Sequence, residues 1–421
     1  MPRIVTLLVM MAFPLGSLLG NSIIDGFTNA TNDRFTNDPA FIANSYNLSG
    51  IGRCSNDRWG TLVSSNVIIS ANHFHPIIGQ SIVFYATNDP NGASETRTVV
   101  AGERFGVSDV WVGVLNAPLP ASYEPLAFTT DNINSAIQFN FSSHHDATAF
   151  LVGISSTSPD VALDMAVGQN ILTDWYSNIT VNGAGGYSAT GNAIRAFQDQ
   201  SGDPNFIAYE AYLQDHDSGA PMIRDVNGEL TIIGLNWFIH NDLTALGTRN
   251  YSAFSYVGNF ATEIQAVIDA FAGLNLSKEY GTWIGTSFDG ETDLTLMTPS
   301  YDYDNDGMTN YEEYALVSDP IAYDHATETT VDTIDAAGTI YTEITVQLRE
   351  ADNYIGYTVM TGSDLDGWNT TTLAYTGSWG TGNAGVATVT AATDHGSTWT
   401  VTVRDAVPIT SGAPRFMRIG Y

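Results

Sequence analysis

The chain has 421 residues, with 14 Lys or Arg against 45 Asp or Glu, so its formal net charge is −31. A surface this acidic repels phosphate backbones, which excludes nucleic acids as expected partners. The length favours two or three domains, and a hydrophobic fraction of 43% excludes wholesale disorder. The single cysteine, Cys54, excludes an internal disulfide.

Residues 1–22 have the pattern of a secretory signal peptide. Arg3 precedes an apolar run that is short for a membrane span, and the small residues Gly20 and Ser22 fit a cleavage site. We expect cleavage after Ser22, with cleavage after Gly20 and an uncleaved anchor as the alternatives. No later stretch reaches the ~18 apolar residues of a spanning helix. The sequence therefore predicts a secreted, extracellular protein with no membrane span after signal removal.

Residues 23–275 consist of short apolar runs separated by clusters of Gly, Asn, Asp and Pro. Runs such as 61–70 and 230–238 are rich in Val, Ile, Thr and aromatic residues, which is typical of strands. One helix is expected over 261–272, where apolar residues recur at helical spacing. This region is therefore predicted to be all-β, as a barrel or a sandwich.

The remainder of the chain divides by composition into three segments. Residues 276–300 are predicted to be a linker, 301–322 an acidic loop, and 323–421 a smaller domain. The last segment is Thr-rich with alternating apolar residues, which favours a small β-sandwich. We expect an accessory domain without catalytic residues, and the sequence identifies no partner for it.

A histidine, an aspartate and a serine occur in that order at the ends of predicted strands. His73 follows one strand, Asp109 opens another, and Ser218 lies in a tight turn before a third. A serine hydroxyl needs a base within hydrogen-bond reach to act as a nucleophile, and a histidine oriented by a carboxylate is such a base. The chain order matches the chymotrypsin class and differs from the α/β-hydrolase order, which argues against an esterase of that fold. We therefore predict Ser218 as nucleophile, His73 as base and Asp109 as the orienting acid.

The surrounding residues resemble those of trypsin-like serine proteases. Residues 60–73 resemble the Gly-Ser/Thr-Leu-Ile and Ala-Ala-His segments of that family, and 109–115 resemble its Asp-Ile-Ala-Leu-Leu block. Residues 216–221 resemble Gly-Asp-Ser-Gly-Gly-Pro, and 233–237 resemble the strand that ends in Ser-Trp-Gly. The four motifs occur in family order and extend along most of 23–272, which makes the match far more specific than any one of them.

The resemblance implies a fold, an activity and further site residues. The fold would be two six-stranded antiparallel β-barrels with the triad in the cleft between them and a C-terminal helix. The activity would be hydrolysis of protein or peptide substrates through an acyl-enzyme. The backbone N–H groups of His216 and Ser218 would form the oxyanion hole. Asp217 would pair with a new N-terminal ammonium, here that of Ile23 after removal of the signal peptide.

The same resemblance locates the primary substrate pocket. Counting back from Ser218 places Tyr212 at its base, and Asn236, Trp237 and Phe238 would form one wall. Because Tyr212 is not acidic, cleavage after Lys or Arg is not expected. Phe238 stands where the family commonly has a glycine, so we expect a narrowed pocket that prefers small or medium apolar residues.

Other residues offer alternatives for the triad. His75 could replace His73 as the base, although only His73 follows the matching Ala-Asn pair. Asp160 could replace Asp109, although it leaves little chain for a second barrel before the serine. The adjacent histidines 144–145 would point to opposite faces of a strand, and a solvated loop is expected there instead of a metal site.

His216 supports a second interpretation of the protein. It replaces a glycine in the oxyanion turn, where a side chain can strain the backbone. A catalytically impaired trypsin-like module that serves in binding or adhesion is therefore the alternative function. The intact set of His73, Asp109 and Ser218 favours the enzyme.

Residues 302–313 match the ligand spacing of an EF-hand calcium loop. The ligands would be Asp302, Asp304, Asp306, the carbonyl of Met308, Asn310 and Glu313. Carboxylates this close repel one another without a cation, and a solvated acidic turn is the alternative. We expect a structural Ca²⁺ that stiffens the connector between the domains, and no cofactor for catalysis.

Overall fold

The computed structural model describes residues 6–7, 23–155, 157–158, 160–244, 247–288, 291–323, 329–349, 355–410 and 414–420. The chain divides into two compact units, Met1–Asn275 and Leu276–Tyr421. The predicted signal peptide lies outside the described residues except for the two-residue strand β1 (Thr6–Leu7). In the part of the chain that is described, no helix is long and apolar enough to cross a membrane.

A closed antiparallel barrel follows the short strand β2 (Ile23–Ile24) and the one-turn helix α1 (Asn29–Asn32). Its strands are β3 (Ile51–Cys54), β4 (Trp59–Leu62), β5 (Val67–Ala71), β6 (Ser81–Tyr85), β7 (Ser94–Arg104) and β8 (Val110–Leu115), paired in the order β3-β4-β5-β8-β7-β6. Every residue of β5 and β8 is buried, in keeping with their continuous apolar sequence. Ile68, Phe84 and Trp111 fill the interior, where each such side chain stabilises the fold by about 1.5–3 kcal/mol.

The second sheet of this unit is a half-barrel. Its elements are β9 (Ala127–Phe128), α2 (Ala136–Asn140), β10 (Thr148–Gly153), β11 (Ala166–Ile171), β12 (Asp174–Asn182), β13 (Ser188–Phe197), β15 (Pro221–Val226), β16 (Glu229–Thr244) and β17 (Gly247–Tyr256). The sheet order is β1-β12-β13-β17-β16-β15-β10-β11, with β9 beside β16. The short strand β14 (Ala211–Tyr212) pairs with β2 in a separate sheet and does not extend this one. The described strands thus form one closed barrel and a half-barrel, which is consistent with a double-barrel fold but does not show the second closed barrel that we predicted.

Helix α3 (Ala261–Phe271) occupies the segment predicted to be helical over 261–272. It buries Ile264, Val267 and Phe271 on one face. The Asn66 side chain, in the turn before β5, donates to the carbonyl oxygens of Phe271 at 3.0 Å and Leu274 at 3.1 Å. These bonds satisfy carbonyl groups that the end of a helix leaves without partners.

The second unit begins inside the segment that we predicted to be a linker. Residues 276–300 contain helix α4 (Lys278–Ser287), whose Tyr280 and Trp283 are buried, so this segment is folded and belongs to the second unit. Helix α5 (Asn310–Leu316) follows the acidic loop. One sheet comprises β18 (Thr329–Ala336), β19 (Thr339–Arg349), β23 (Ala387–Asp394) and β24 (Thr398–Asp405), and the other comprises β20 (Tyr357–Gly362), β21 (Asn369–Tyr375), β22 (Trp379–Thr381) and β25 (Phe416–Gly420).

Candidate active site

The pairing register of two barrel strands brings His73 and Asp109 together. β5 and β8 are antiparallel with Ala71 opposite Val110, so the residues just beyond these ends are neighbours. The N–H of Asn72 donates to the Asp109 carbonyl at 2.8 Å, which extends the ladder by one step. Two residues that are distant in sequence therefore meet because the barrel fixes where each strand ends.

Three side chains form a continuous hydrogen-bonded series. His73 Nδ1 lies 2.8 Å from Asp109 Oδ2, and His73 Nε2 lies 2.8 Å from the hydroxyl oxygen of Ser218. The backbone N–H of His73 also donates to Asp109 Oδ1 at 2.9 Å. A carboxylate can only accept, so Nδ1 carries the ring proton and Nε2 accepts from the serine hydroxyl. The arrangement can move a proton from Ser218 to His73.

Asp109 receives a further hydrogen bond that sequence reasoning missed. The hydroxyl of Tyr187 donates to Asp109 Oδ1 at 2.8 Å, and it accepts from the indole N–H of Trp237 at 3.0 Å. Burial raises the pKa of Tyr187, and the neighbouring Asp109 raises it further, so its hydroxyl stays protonated. No local pattern distinguishes this tyrosine in the sequence, because its role depends on where β13 lies beside the barrel.

The turn before Ser218 has the two predicted oxyanion donors available. Among the described residues, neither the N–H of His216 nor that of Ser218 donates to a protein acceptor. His216 takes a left-handed conformation with φ of 75°, and Gly219 follows with φ of 84°. A Cβ on Gly219 would lie 2.5 Å from the Ser70 hydroxyl oxygen, so only glycine fits there.

Asp217 is fully buried, and backbone groups hold its carboxylate. The N–H of Ile154 donates to Oδ1 at 2.8 Å, and the N–H of Gln214 donates to Oδ2 at 2.7 Å. Ile23, the predicted source of an ammonium partner, is 47% exposed and pairs with Tyr212 in the β2–β14 ladder. The carboxylate thus has two backbone donors in the unprocessed chain, and its pairing with the ammonium of a chain that begins at Ile23 stays a prediction.

A pocket adjoins Ser218 and is lined mainly by the second sheet and the serine turn. Its lining includes Leu213, Asn236, Trp237, Phe238 and Ile239. Three of the four residues predicted for the substrate pocket therefore line it. Tyr212, which pairs with Ile23 in the β2–β14 ladder, does not line it, whereas the next residue, Leu213, does.

The Asn236 side chain connects the pocket wall to the serine turn. Its amide nitrogen donates to the carbonyl oxygens of Val152 at 2.8 Å and Asp217 at 2.9 Å. Asn236 therefore fixes the backbone beside Ser218 from the strand behind it.

The rival triad candidates have other partners. His75 stacks on Trp111 with ring centroids 4.4 Å apart, and its Nδ1 bonds to the Pro76 carbonyl oxygen. Burial lowers the pKa of His75. Asp160 caps a short 3-10 turn by accepting from the N–H of Ala162 at 3.0 Å. Both residues have structural roles outside the hydrogen-bonded series.

His144 does not lie in a solvated loop, which corrects our expectation for that segment. It is 2% exposed and contacts Thr129 at 3.3 Å and Arg224 at 3.0 Å through its two ring nitrogens. Burial, and then the charge of Arg224, lower the pKa of His144. The loop folds back onto the second sheet, so this histidine belongs to the core, whereas His145 remains partly exposed beside Asp146.

The acidic loop of the second unit brings several oxygen atoms together. Carboxylate oxygens of Asp302, Asp304 and Asp306 lie within 4.8 Å of one another. Asn310 is fully buried, and its amide nitrogen donates to the carbonyl oxygens of Leu296 and Thr298 at 2.9 Å each. The Asn310 Oδ1 atom and the buried Oδ2 atom of Asp306 have no hydrogen-bond partner among the described residues.

The structure thus brings together the predicted triad, the oxyanion turn and most of the predicted pocket, and separately three of the six predicted calcium ligands. No protein-family model matches the chain, and no curated protein matches it.

Proposed function

We propose that the protein is a secreted, trypsin-like serine endopeptidase that cleaves peptide bonds through Ser218. The observation that carries this proposal is the pair of 2.8 Å contacts that His73 makes with Asp109 and Ser218. A nucleophile, a base and an orienting acid within hydrogen-bond reach are what acyl transfer requires. The left-handed turn supports the proposal further, because it leaves two backbone N–H groups available beside the serine.

The mechanism follows from the roles of these groups. Ser218 Oγ attacks the carbonyl carbon of the peptide bond while His73 Nε2 takes the hydroxyl proton. The N–H groups of His216 and Ser218 donate to the oxyanion that forms, and one such donor is worth about 3 kcal/mol. His73 then protonates the leaving amine, which leaves an acyl-enzyme. Water, deprotonated by His73, hydrolyses the ester and restores Ser218.

The pocket favours an apolar residue before the cleaved bond. Leu213, Trp237, Phe238 and Ile239 supply its apolar lining. Of its two acidic lining residues, Asp217 has its carboxylate bonded to the N–H groups of Ile154 and Gln214, and Asp215 is exposed. Phe238 is 3% exposed and packs edge-on against Trp237 with ring centroids 5.2 Å apart, so it occupies space that a glycine would leave open. We propose small or medium apolar residues as the preferred class.

We also propose that the acidic loop binds a structural Ca²⁺. Buried acceptor oxygens without partners are costly, and a hard cation with oxygen ligands would satisfy them. Asp302, Asp304, Asp306, Asn310, Glu313 and the Met308 carbonyl would be the ligands, as the spacing predicts. The cation supplies no step of the proposed chemistry.

The contacts described below lie within the second unit. We therefore propose that the loop stabilises this unit, and not that it stiffens a connector between the domains. The loop runs into α5, where the carbonyl oxygen of Tyr314 accepts from Arg349 at 2.6 Å. The next carbonyl, that of Ala315, accepts from the Tyr357 hydroxyl at 2.9 Å. Calcium would therefore hold α5 onto β19 and β20 and stabilise this unit.

The proposed activity is tested by labelling the purified protein with a fluorophosphonate probe. We expect labelling of the wild type, none of Ser218→Ala, and a strong loss in His73→Ala. Thermal unfolding of each variant serves as the control for folding. A folded wild type that is not labelled would instead support the binding module, and labelling that persists in Ser218→Ala would place the reactive group elsewhere.

A further inference from the structure

Tyr187 occupies the centre of a series of hydrogen bonds that joins the pocket wall to the triad. Its hydroxyl accepts a hydrogen bond from the indole N–H of Trp237, a lining residue, and donates one to the carboxylate of Asp109. Asp109 is 1% exposed, so its carboxylate is shielded from bulk solvent. With the backbone N–H and the ring N–H of His73, the tyrosine brings the donors on the carboxylate to three.

The backbone around Tyr187 is tied to the segment that carries Asp109. The Arg104 guanidinium donates to the carbonyl oxygens of Ser108 at 2.6 Å and of Ser188 at 2.8 Å. These two residues are the immediate neighbours of Asp109 and Tyr187 in sequence. One arginine therefore holds both partners of the hydrogen bond at a fixed separation, which indicates a built arrangement and not a chance contact.

We propose that Tyr187 is a positioning residue of the triad. Its hydroxyl holds the Asp109 carboxylate in place against His73 and reduces the electrostatic attraction between that carboxylate and the His73 ring. This inference rests on the proposed function. A hydrogen bond to a carboxylate stabilises its charged form and reduces its hold on the imidazolium of His73. Removal of the hydroxyl should therefore make the carboxylate less ordered and His73 more basic.

Tyr187→Phe tests this with two readouts. The first is the pH midpoint of the His73 imidazole, followed by NMR titration, which requires no activity. We expect it to rise in the variant, because the carboxylate then accepts one hydrogen bond fewer and attracts the imidazolium more strongly. The second is the rate constant of fluorophosphonate labelling, which we expect to fall about tenfold at neutral pH because a hydrogen bond to a charged group is lost.

Tyr46→Phe is the matched control. The Tyr46 hydroxyl also donates to an aspartate, Asp225, at 2.8 Å, but at an exposed position outside the site. We expect its His73 midpoint and labelling rate to equal those of the wild type. His75 lies close enough to interact electrostatically with His73 and Asp109, and Arg104 does so with Tyr187; neither residue is changed in any variant.

The outcomes separate this inference from the proposed function. A His73 midpoint that is unchanged or lower in Tyr187→Phe overturns the positioning role, even if the labelling rate falls through a loss of stability. A folded wild type without labelling overturns the peptidase, while the titration still decides what Tyr187 does to His73. A raised midpoint with slower labelling supports both.

Discussion

The indole N–H of Trp59 donates to the carbonyl oxygen of His216 at 3.0 Å. Trp59 lies in β4 and is fully buried, so a rigid strand of the first barrel holds the turn that carries Ser218. A left-handed residue other than glycine costs about 1–2 kcal/mol. The His216 backbone thus keeps a conformation that its side chain disfavours, with support from a different sheet.

The turn is held through the backbone of His216, so its side chain is not required for the oxyanion turn. The rate of fluorophosphonate labelling of His216→Gly should therefore stay within about threefold of the wild-type rate. Stability should change by less than about 1 kcal/mol, because relief of the left-handed conformation and the added flexibility of glycine in the unfolded chain oppose each other. Labelling kinetics and thermal unfolding measure the two quantities. Gly219→Ala is the contrasting variant, and we expect it to lose labelling because its Cβ would collide with Ser70. A gain of more than tenfold in His216→Gly would mean that the histidine impairs the hole.

Phe238 should set the size limit of the pocket. In Phe238→Gly we expect cleavage after Leu or Phe to rise at least about tenfold relative to cleavage after Ala, since one methylene group in an apolar pocket is worth about 1–3 kcal/mol. Digestion of a peptide library followed by mass spectrometry measures this ratio. Phe238→Leu keeps most of the volume and should stay near the wild type. Identical rankings in wild type and Phe238→Gly would rule out this residue as the determinant.

Calcium should stabilise the second unit. With calcium at about a hundred times its dissociation constant, we expect ~2.7 kcal/mol of added stability. Asp306→Asn should lose this gain, since a buried ligand oxygen is replaced. The measurement is thermal unfolding with calcium or with a chelator, together with hydrogen exchange over 294–316.

Asp332→Asn is the control for charge, because Asp332 is exposed on β18 outside the loop. It should respond to calcium as the wild type does. Chelation should leave labelling of Ser218 unchanged, because the proposed ligands supply no group to the triad. Equal unfolding temperatures with and without calcium would refute the calcium site.

Glu210 should make the first unit less stable as pH rises. Burial raises the pKa of its carboxyl to about 8 in the folded protein, whereas an unfolded glutamate titrates near its ordinary value of about 4.3. The folded state binds the proton more tightly, so the contribution to stability is full below pH ~4 and is lost as pH rises through 8. Denaturant unfolding at pH 5, 6.5 and 8 should show a flatter dependence in Glu210→Gln. Glu229→Gln, at an exposed position, should follow the wild type.

The sequence predicted those parts of the site that depend on short segments. His73, Asp109 and Ser218 each follow from a local motif, and the barrel register then joins them. Tyr187 could not be predicted, because its bond to Asp109 spans 78 positions and depends on how β13 lies against the barrel. Counting along the chain placed Tyr212 in the pocket, whereas the next residue, Leu213, lines it and Tyr212 pairs with β2.

The same limits apply to the fold. Alternating and continuous apolar runs indicated strands throughout the first unit, and helical spacing indicated α3. The pattern does not encode whether the last strand of a curved sheet pairs with the first. The prediction of a second closed barrel therefore rested on the family resemblance alone, and the described strands do not show it. Residues 276–300 were expected to be a linker because Gly, Ser and Thr interrupt their apolar positions, yet Tyr280 and Trp283 pack with Tyr314 of α5.

The Asp217 carboxylate accepts hydrogen bonds from the N–H groups of Ile154 and Gln214. These bonds affect whether the protein could be made as an inactive precursor. A protease whose serine turn waits for a new terminus can be stored as an inert precursor. Here the donors come from the main chain, and they are in place while residues still precede Ile23. On the proposed function, a precursor or a fusion protein would already be competent, so a producing cell would have to protect itself by exporting the chain before it folds. On the same proposal, a protein that carries an affinity tag in front of Ile23 would keep its activity.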